Sequence, residues 1–238
     1  MLTQADVDSW LEEFHQRLLE CFGERLIFLA HHGSWARGEA RPDSDIDAFV
    51  IVDHVDDETL LAYRKLIDAM PLTNEHMVST FFGSTPELSV WPRHEQIQCW
   101  FGCKILHGDL ADLVEPPTDG DFITDVRLKA SDNLHMARHY LLHPHDMTGR
   151  MRQLAYPFKE ACYAMQSWMH LTTGIRYDSK LAMLDALEDE TDREVVLAVR
   201  NWQTITSDKP EVATEYAALL ERWARAMLER LVALKESR

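Results

Sequence analysis

The sequence predicts an α+β protein in which a mixed sheet with flanking helices is followed by a helical bundle. Short apolar runs of strand length alternate with helical periodicity only as far as the stretch PPTDGD at 116–121. Beyond that stretch, apolar residues recur almost throughout at helical spacing. The 238 residues and their 46% hydrophobic content are enough to fill two cores. We therefore predict one domain over residues 1–120 and a second domain over residues 121–238.

The first half is predicted to alternate between helices and strands. Thr3 is a suitable N-cap for the first helix, and Gly23 supplies its C-terminal stop. The strands are rich in β-branched and aromatic residues and are too short to be helices. The predicted strands cover 26–30, 46–52, 77–82 and 104–106. The predicted helices cover 4–22, a segment that Asp56 or Asp57 caps and that includes Leu60 to Met70, and 88–102 with Pro92 inside it.

The second half is predicted to be a bundle of helices with few strand signals. Pro144, Gly174 and the SDKP stretch at 207–210 mark its breaks. The acidic run EDETDRE at 188–194 is predicted to be a solvated helix start, since carboxylates are favourable near a helix N-terminus. The predicted helices cover 123–142, 151–171, 181–187, 194–202 and 212–234.

The charge balance excludes some classes of partner. The chain has 24 basic and 40 acidic residues, a net charge of −16 at pH 7. Such a charge repels phosphate backbones and anionic lipid surfaces, so neither a nucleic-acid polymer nor a membrane is predicted as a partner. A cationic small molecule or a metal–nucleotide complex would be attracted instead.

The cysteines and the hydropathy predict a cytoplasmic protein. The four cysteines are scattered among apolar residues, a pattern typical of buried thiols in a reducing compartment. Cys99 and Cys103 stand four apart, but no second ligand pair accompanies them, so we assign them to the core. The sequence has neither a signal peptide nor an apolar run near the roughly 20 residues of a membrane span.

Asp45 and Asp47 stand one residue apart at the start of the strand predicted at 46–52. In an extended segment, alternate residues project from the same face, so these carboxylates are predicted to lie side by side. They repel each other unless a cation neutralises them, and Mg²⁺ often takes one or two carboxylates together with substrate phosphates. The pair predicts a site for Mg²⁺ and a phosphate ester, with a simple turn at 43–47 as the alternative.

Gly33 and Ser34 follow the strand predicted at 26–30 and are expected to open towards the same corner. A small turn there lets backbone N–H groups and a hydroxyl approach phosphate oxygens. Arg37 and Arg41 in the same loop can position further negative charge. Trp35, between them, is predicted to anchor the loop, with stacking on a base as the alternative.

The string GSWARGEARPDSDID at 33–47, followed by an apolar strand, resembles the motif of the nucleotidyltransferase superfamily that includes DNA polymerase beta. The similarity is greatest to its minimal and antibiotic-modifying branches. It implies that Gly33 and Ser34 contact the phosphates of a nucleotide, while Asp45 and Asp47 bind Mg²⁺. The implied reaction transfers a nucleoside monophosphate from an NTP, with ATP expected, to a hydroxyl group.

The stretch AMQSWMHLTTGIRYDSK at 164–180 resembles the C-terminal bundle of aminoglycoside nucleotidyltransferases such as the kanamycin enzyme. In these enzymes the bundle closes over the nucleotide and the acceptor. The resemblance implies that Tyr177, Ser179 or Lys180 reaches the triphosphate. A solvated lysine at a helix start is the alternative for Lys180.

The chain departs from the family at a third carboxylate, which usually follows on a later strand. The strand predicted at 77–82 reads MVSTFF, with Ser79 or Thr80 where an acid is expected. Glu75 is the nearest acid and our candidate, with a solvated turn residue as the alternative. Asp132, His135 and Glu160 are other candidates for a general base, and His31 and His32 are assigned to packing or hydrogen bonding at the strand end.

These sequence features support two alternative functions. The first is a Mg²⁺-dependent nucleotidyltransferase acting on a small molecule such as an aminoglycoside-type antibiotic, with Asp45, Asp47 and Glu75 as catalytic residues and Gly33, Ser34, Arg37 and Lys180 binding the nucleotide. The second is a non-catalytic nucleotide-binding or antitoxin-like module that lacks the third metal carboxylate. The sequence leaves open whether the chain forms a homodimer or binds another protein.

Overall fold

The computed structural model describes residues 2–41, 43–72, 78–143, 150–205 and 209–236. The chain divides into two compact units, Met1–Pro117 and Thr118–Arg238. In the first unit the elements are α1 (Gln4–Phe22), β1 (Leu26–His32), α2 (Gly33–Ala36), β2 (Ile46–Val52), α3 (Asp57–Asp68), β3 (Val78–Ser84), α4 (Thr85–Val90), α5 (Arg93–Gly102) and β4 (Lys104–His107). In the second they are α6 (Asp119–Leu142), α7 (Arg150–Thr173), α8 (Lys180–Ala186), α9 (Glu190–Asn201) and α10 (Pro210–Glu236).

The sheet of the first unit has four strands in the order β3-β2-β1-β4. β1 is antiparallel to both β2 and β4, whereas β2 is parallel to β3. The parallel pair needs a crossover, and α3 lies in the connection between its strands. The predicted α+β fold class, with a mixed sheet followed by helices, is confirmed.

The two central strands, β1 and β2, are buried on both faces of the sheet. Residues Ile46, Ala48, Val50 and Val52 of β2 pack in one core with α1 and α3. Phe49 and Ile51 pack in a second core, on the other face, with Leu88 of α4 and Cys99 of α5. Strand alternation places Asp47 on the face of Phe49 and Ile51.

Capping residues begin the helices largely where the sequence predicts. Thr3 and Asp6 form a reciprocal capping box at the start of α1, and the Asp56 carboxylate accepts from the backbone N–H of Thr59 at the start of α3. One prediction was wrong. The helix predicted at 88–102 is two helices, because Trp91 is extended before Pro92, and the first of them begins earlier, where Ser84 and Glu87 form another capping box.

The second unit is a helical bundle whose core is formed mainly by α6, α7, α9 and α10. Its polar interior includes Asp125, which is fully buried and accepts a hydrogen bond from Ser167 Oγ at 2.7 Å. The ammonium group of Lys129 pairs with the same carboxylate. Among the described residues, no helix is long and apolar enough to cross a membrane.

Two expectations about exposure need correction. Asp192, within the run predicted to be solvated, is 4% exposed and accepts from Arg230 Nη1 at 2.7 Å. The partner lies 38 residues away, so the local sequence does not reveal it. Cys99 and Cys162 are buried as predicted, whereas Cys21 is exposed on α1 and Cys103 is partly exposed.

Candidate functional site

Strand pairing brings the Gly-Ser turn against the second aspartate. His32, the last residue of β1, is the pairing partner of Asp47 on β2. Gly33 follows with a φ of +80°, and a Cβ atom built on it would lie 1.8 Å from Asp47 Oδ2. Only glycine accommodates both the backbone conformation and the carboxylate. The turn at 33–34 and Asp47 therefore form one corner of the sheet.

The loop between the turn and the aspartates is fixed at both ends. The Trp35 side chain is buried, and its Nε1 donates to the backbone oxygen of Ser44 at 3.2 Å. Ser44 Oγ accepts from the backbone N–H of Arg41 at 2.9 Å, and Ser44 N–H donates to Arg41 O at 2.9 Å. Trp35 thus anchors the residue immediately before Asp45, as the sequence predicts.

The two loop arginines each have a carboxylate neighbour. Arg37 Nε lies 3.5 Å from Glu39 Oε2, and both side chains are largely buried. Arg41 Nε lies 3.6 Å from Asp43 Oδ1, and this pair is exposed. Arg37 is therefore the more buried of these two loop cations.

The register of β3 against β2 determines which residue occupies the position where a third acid is expected. Ser79 of β3 is the pairing partner of Asp47 and is exposed. Thr80 lies on the opposite face, on which Val78 and Phe82 pack against the core with α1 and α3. Ser79 is therefore the residue at the expected position, and it has no carboxylate. Glu75 lies outside the described residues.

The two histidines before the turn lie on opposite faces of the sheet. His31 is 2% exposed, and its Nε2 has no hydrogen-bond partner within the described ranges. Burial, with a smaller contribution from the nearby charge of Lys104, lowers the pKa of His31 to about 4. His32 is only half-buried and lies on the face of Asp47. The sequence did not distinguish their roles, because strand register is needed to do so.

The described residues offer two carboxylates but no complete ligand set of protein origin. In the ranges that the structure covers, no group of three or more His, Cys, Asp or Glu side chains is placed to hold a metal ion. Asp45 and Asp47 are both partly exposed at the corner of the sheet. A divalent cation held by these two carboxylates would need further ligands.

The remaining candidates belong to the second unit. Lys180 is the first residue of α8, where the Ser179 hydroxyl accepts from the backbone N–H of Ala182 at 3.1 Å. Asp132 and His135 are exposed on α6. Glu160 Oε2 lies 3.9 Å from Lys129 Nζ, so this carboxylate has a cation beside it.

Comparison with known proteins agrees with this geometry. Residues 11–75 match the family model described as a nucleotidyltransferase domain. The chain is similar to the crystal structure of spectinomycin adenyltransferase AAD(9) from Enterococcus faecialis with ATP and spectinomycin, at a TM-score of 0.57 and 13% identity, covering 92% of this chain and 99% of that one. At this identity the similarity shows a shared fold.

A second solved structure is described as a toxin-antitoxin with AMP-PNP. It has 23% identity but a TM-score of 0.32, covering 42% of this chain and 76% of that chain, and we draw no conclusion from it. No curated protein sequence matches the chain. The family match at 11–75 includes the Gly-Ser turn and both aspartates, so this segment of the chain is similar to a nucleotidyltransferase domain.

Proposed function

We propose that this protein transfers a nucleoside monophosphate from an NTP, with ATP expected, to a hydroxyl group of a small molecule such as an aminoglycoside-type antibiotic. The observation that carries the proposal is the approach of Gly33 to Asp47, where a Cβ atom would overlap the carboxylate. This approach unites a turn suited to phosphate with an acid suited to a divalent cation. The family match at residues 11–75 supports the same reaction class.

In this proposal the backbone N–H groups at Gly33 and Ser34 and the Ser34 hydroxyl contact phosphate oxygens. Asp45 and Asp47 hold Mg²⁺, and two carboxylates fit this ion because it commonly takes its other ligands from phosphates and water. A bound Mg²⁺ would neutralise charge on the phosphates during transfer. Arg37 adds positive charge from the loop, and Lys180 of the second unit is proposed to contact the nucleotide.

The position of the turn suggests the direction of attack. Gly33 and Ser34 follow β1, so the triphosphate tail is expected on the β1 side of Asp47. In-line displacement puts the leaving and attacking oxygens on opposite sides of the transferred phosphorus. The acceptor therefore approaches from the β3 side, over Ser79. Its oxygen bonds to the α-phosphorus, the bond to the bridging oxygen breaks, and pyrophosphate leaves.

The attacking hydroxyl must also lose its proton. Ser79 has no carboxylate with which to accept it, and we propose Glu75, which precedes β3 in the sequence, as the base. Substitution of Glu75 by Gln should slow transfer while leaving ATP bound.

The charge distribution supports a cationic acceptor. The first unit has 21 acidic and 8 basic residues, a net charge of −13, whereas the whole chain has −16. A cationic acceptor would be attracted to this unit, and its attraction would weaken with added salt. The similar fold of a spectinomycin adenyltransferase favours an antibiotic of this kind. A cytoplasmic location, where ATP is available, is part of the proposal.

The second candidate function is a nucleotide-binding module without catalysis. Its support is the serine opposite Asp47 on β3, at the position where the family usually has its third acid. Such a module would bind MgATP at the same corner but would not release pyrophosphate.

The test measures pyrophosphate release with ATP, Mg²⁺ and a panel of aminoglycosides and other hydroxyl compounds. We expect release that depends on one acceptor class and falls at least a hundredfold in Asp47→Asn, because a metal carboxylate is lost. Asp43→Asn is the matched control, since Asp43 lies in the same loop and is exposed. Tight ATP binding without release would support the module instead, and no ATP binding at all would refute both functions.

A further inference from the structure

We propose that His32 donates a hydrogen bond to the triphosphate tail of the bound nucleotide, on the side of the leaving pyrophosphate. This inference rests on the proposed function and adds a nucleotide-binding residue to it. It starts from the row of three paired residues His32, Asp47 and Ser79 on neighbouring strands.

Strand register puts the three side chains of this row on one face. Residues paired across neighbouring strands project to the same side of a sheet, with Cβ atoms about 4.5–5.5 Å apart in an antiparallel pair. Ala30, two residues before His32, packs in the core with Phe49, two residues after Asp47. His32 and Asp47 are therefore neighbours on the face that carries the proposed cation site.

His32 also lies on the correct side of Asp47. It directly precedes Gly33 and Ser34, which the proposed function assigns to the phosphates, whereas Ser79 lies on the other side of Asp47. A triphosphate tail that is held both by the Gly33–Ser34 turn and by a cation at Asp47 passes between the turn and Asp47, next to the His32 ring. An imidazole has at least one N–H donor in either protonation state, and a phosphate oxygen is a strong acceptor.

The adjacent His31 is an example of a histidine at this strand end that is buried in packing. It is buried on the opposite face, against the core that contains α1. His32 is half-buried, so its ring remains partly accessible at the corner. The adjacent histidine thereby provides a matched control of the same chemical type.

The experiment measures binding of MgATP and of AMP by calorimetry to the full chain and three variants. His32→Phe keeps a ring without a donor, His32→Gln restores a donor, and His31→Gln is the control. We expect His32→Phe to weaken MgATP binding about tenfold, the effect of one hydrogen bond to a charged group. AMP binding should be unchanged, because AMP lacks the β- and γ-phosphates. His32→Gln should recover most of the loss, and His31→Gln should bind like the unaltered protein.

The outcomes separate this inference from the proposed function. If the unaltered protein binds MgATP and His32→Phe binds it equally well, the inference is wrong and the proposed function stands. Equal weakening of MgATP and AMP in a folded His32→Phe protein also refutes it, because the effect would then lie outside the phosphate tail. An unaltered protein that binds no MgATP would overturn both.

Discussion

At the scale of single residues, Gly33 connects backbone conformation to the proposed chemistry. Its positive φ costs a residue with a side chain about 1–2 kcal/mol, and the Cβ atom would in addition displace the Asp47 carboxylate. Gly38 has a similar φ of +70°, but no atom lies within 4 Å of a Cβ built there. Comparing the two positions therefore separates the cost of the strained backbone from the cost of the contact with Asp47.

We predict that Gly38→Ala loses about 1–2 kcal/mol of stability from the strained backbone, and that Gly33→Ala loses more, because its Cβ atom would also overlap the Asp47 side chain. Only Gly33→Ala should lose MgATP binding, because only there is a carboxylate pushed aside. Urea denaturation and calorimetry measure the two effects separately. Equal MgATP affinity in the two folded variants would contradict the assigned role of Gly33.

A second residue-scale prediction concerns acid stability. The pKa of His31 is about 4 in the folded protein, against an ordinary value of 6.5. Between these values the unfolded chain binds a proton that the folded chain excludes. The His31 contribution is therefore fully present above pH 6.5 and is lost as the pH falls towards 4, by at most about 1.4 kcal/mol per pH unit.

The measurement is urea denaturation of the unaltered chain and of His31→Phe between pH 4 and 7. The variant should show a shallower loss of stability in this range. His135→Phe, on the exposed part of α6, is the control and should follow the unaltered chain. Parallel curves for all three proteins would show that His31 accepts a proton without cost in the folded state.

At the scale of elements, α6 and α7 are joined by a buried polar cluster. The Asp125 carboxylate is fully buried and is held by Lys129 on its own helix and by Ser167 on α7. A buried carboxylate without a cation is strongly destabilising. The ion pair with Lys129 therefore makes the buried Asp125 carboxylate tolerable inside the bundle, but it adds little net stability of its own.

We predict that Lys129→Met lowers the free energy of unfolding by about 3–5 kcal/mol, since it leaves the Asp125 carboxylate buried with one hydrogen bond. Adding Asp125→Asn to this variant should restore part of the loss by removing the charge. Lys159→Met, at an exposed position of α7, is the control. A Lys129→Met protein as stable as this control would contradict the prediction.

At the scale of the whole molecule, the local pattern of the sequence was enough for most elements. The apolar run of β2 predicts residues 46–52, which is its observed range, and the capping residue of α1 is Thr3 as predicted. Both signals are local, since they depend on side-chain type and spacing within a few residues.

Pairing between distant segments explains what the sequence did not reveal. Neighbouring His31 and His32 differ in role only because β1 pairs with β2 in one register. Asp192 is buried because Arg230 reaches it from α10. Likewise, whether Ser79 or Thr80 stands beside Asp47 depends on the alignment of β3 with β2.

The hydrogen bond from Trp35 to Ser44 has a consequence for how such chains can vary. Because the indole ties the end of the 37–44 segment to α2, the placement of Asp45 does not depend on the tip of that segment. Extra residues at the tip would add only the small entropy of a longer loop, about 0.6 kcal/mol per doubling of its length. Residues inserted at the tip of this chain should therefore leave both aspartates in register.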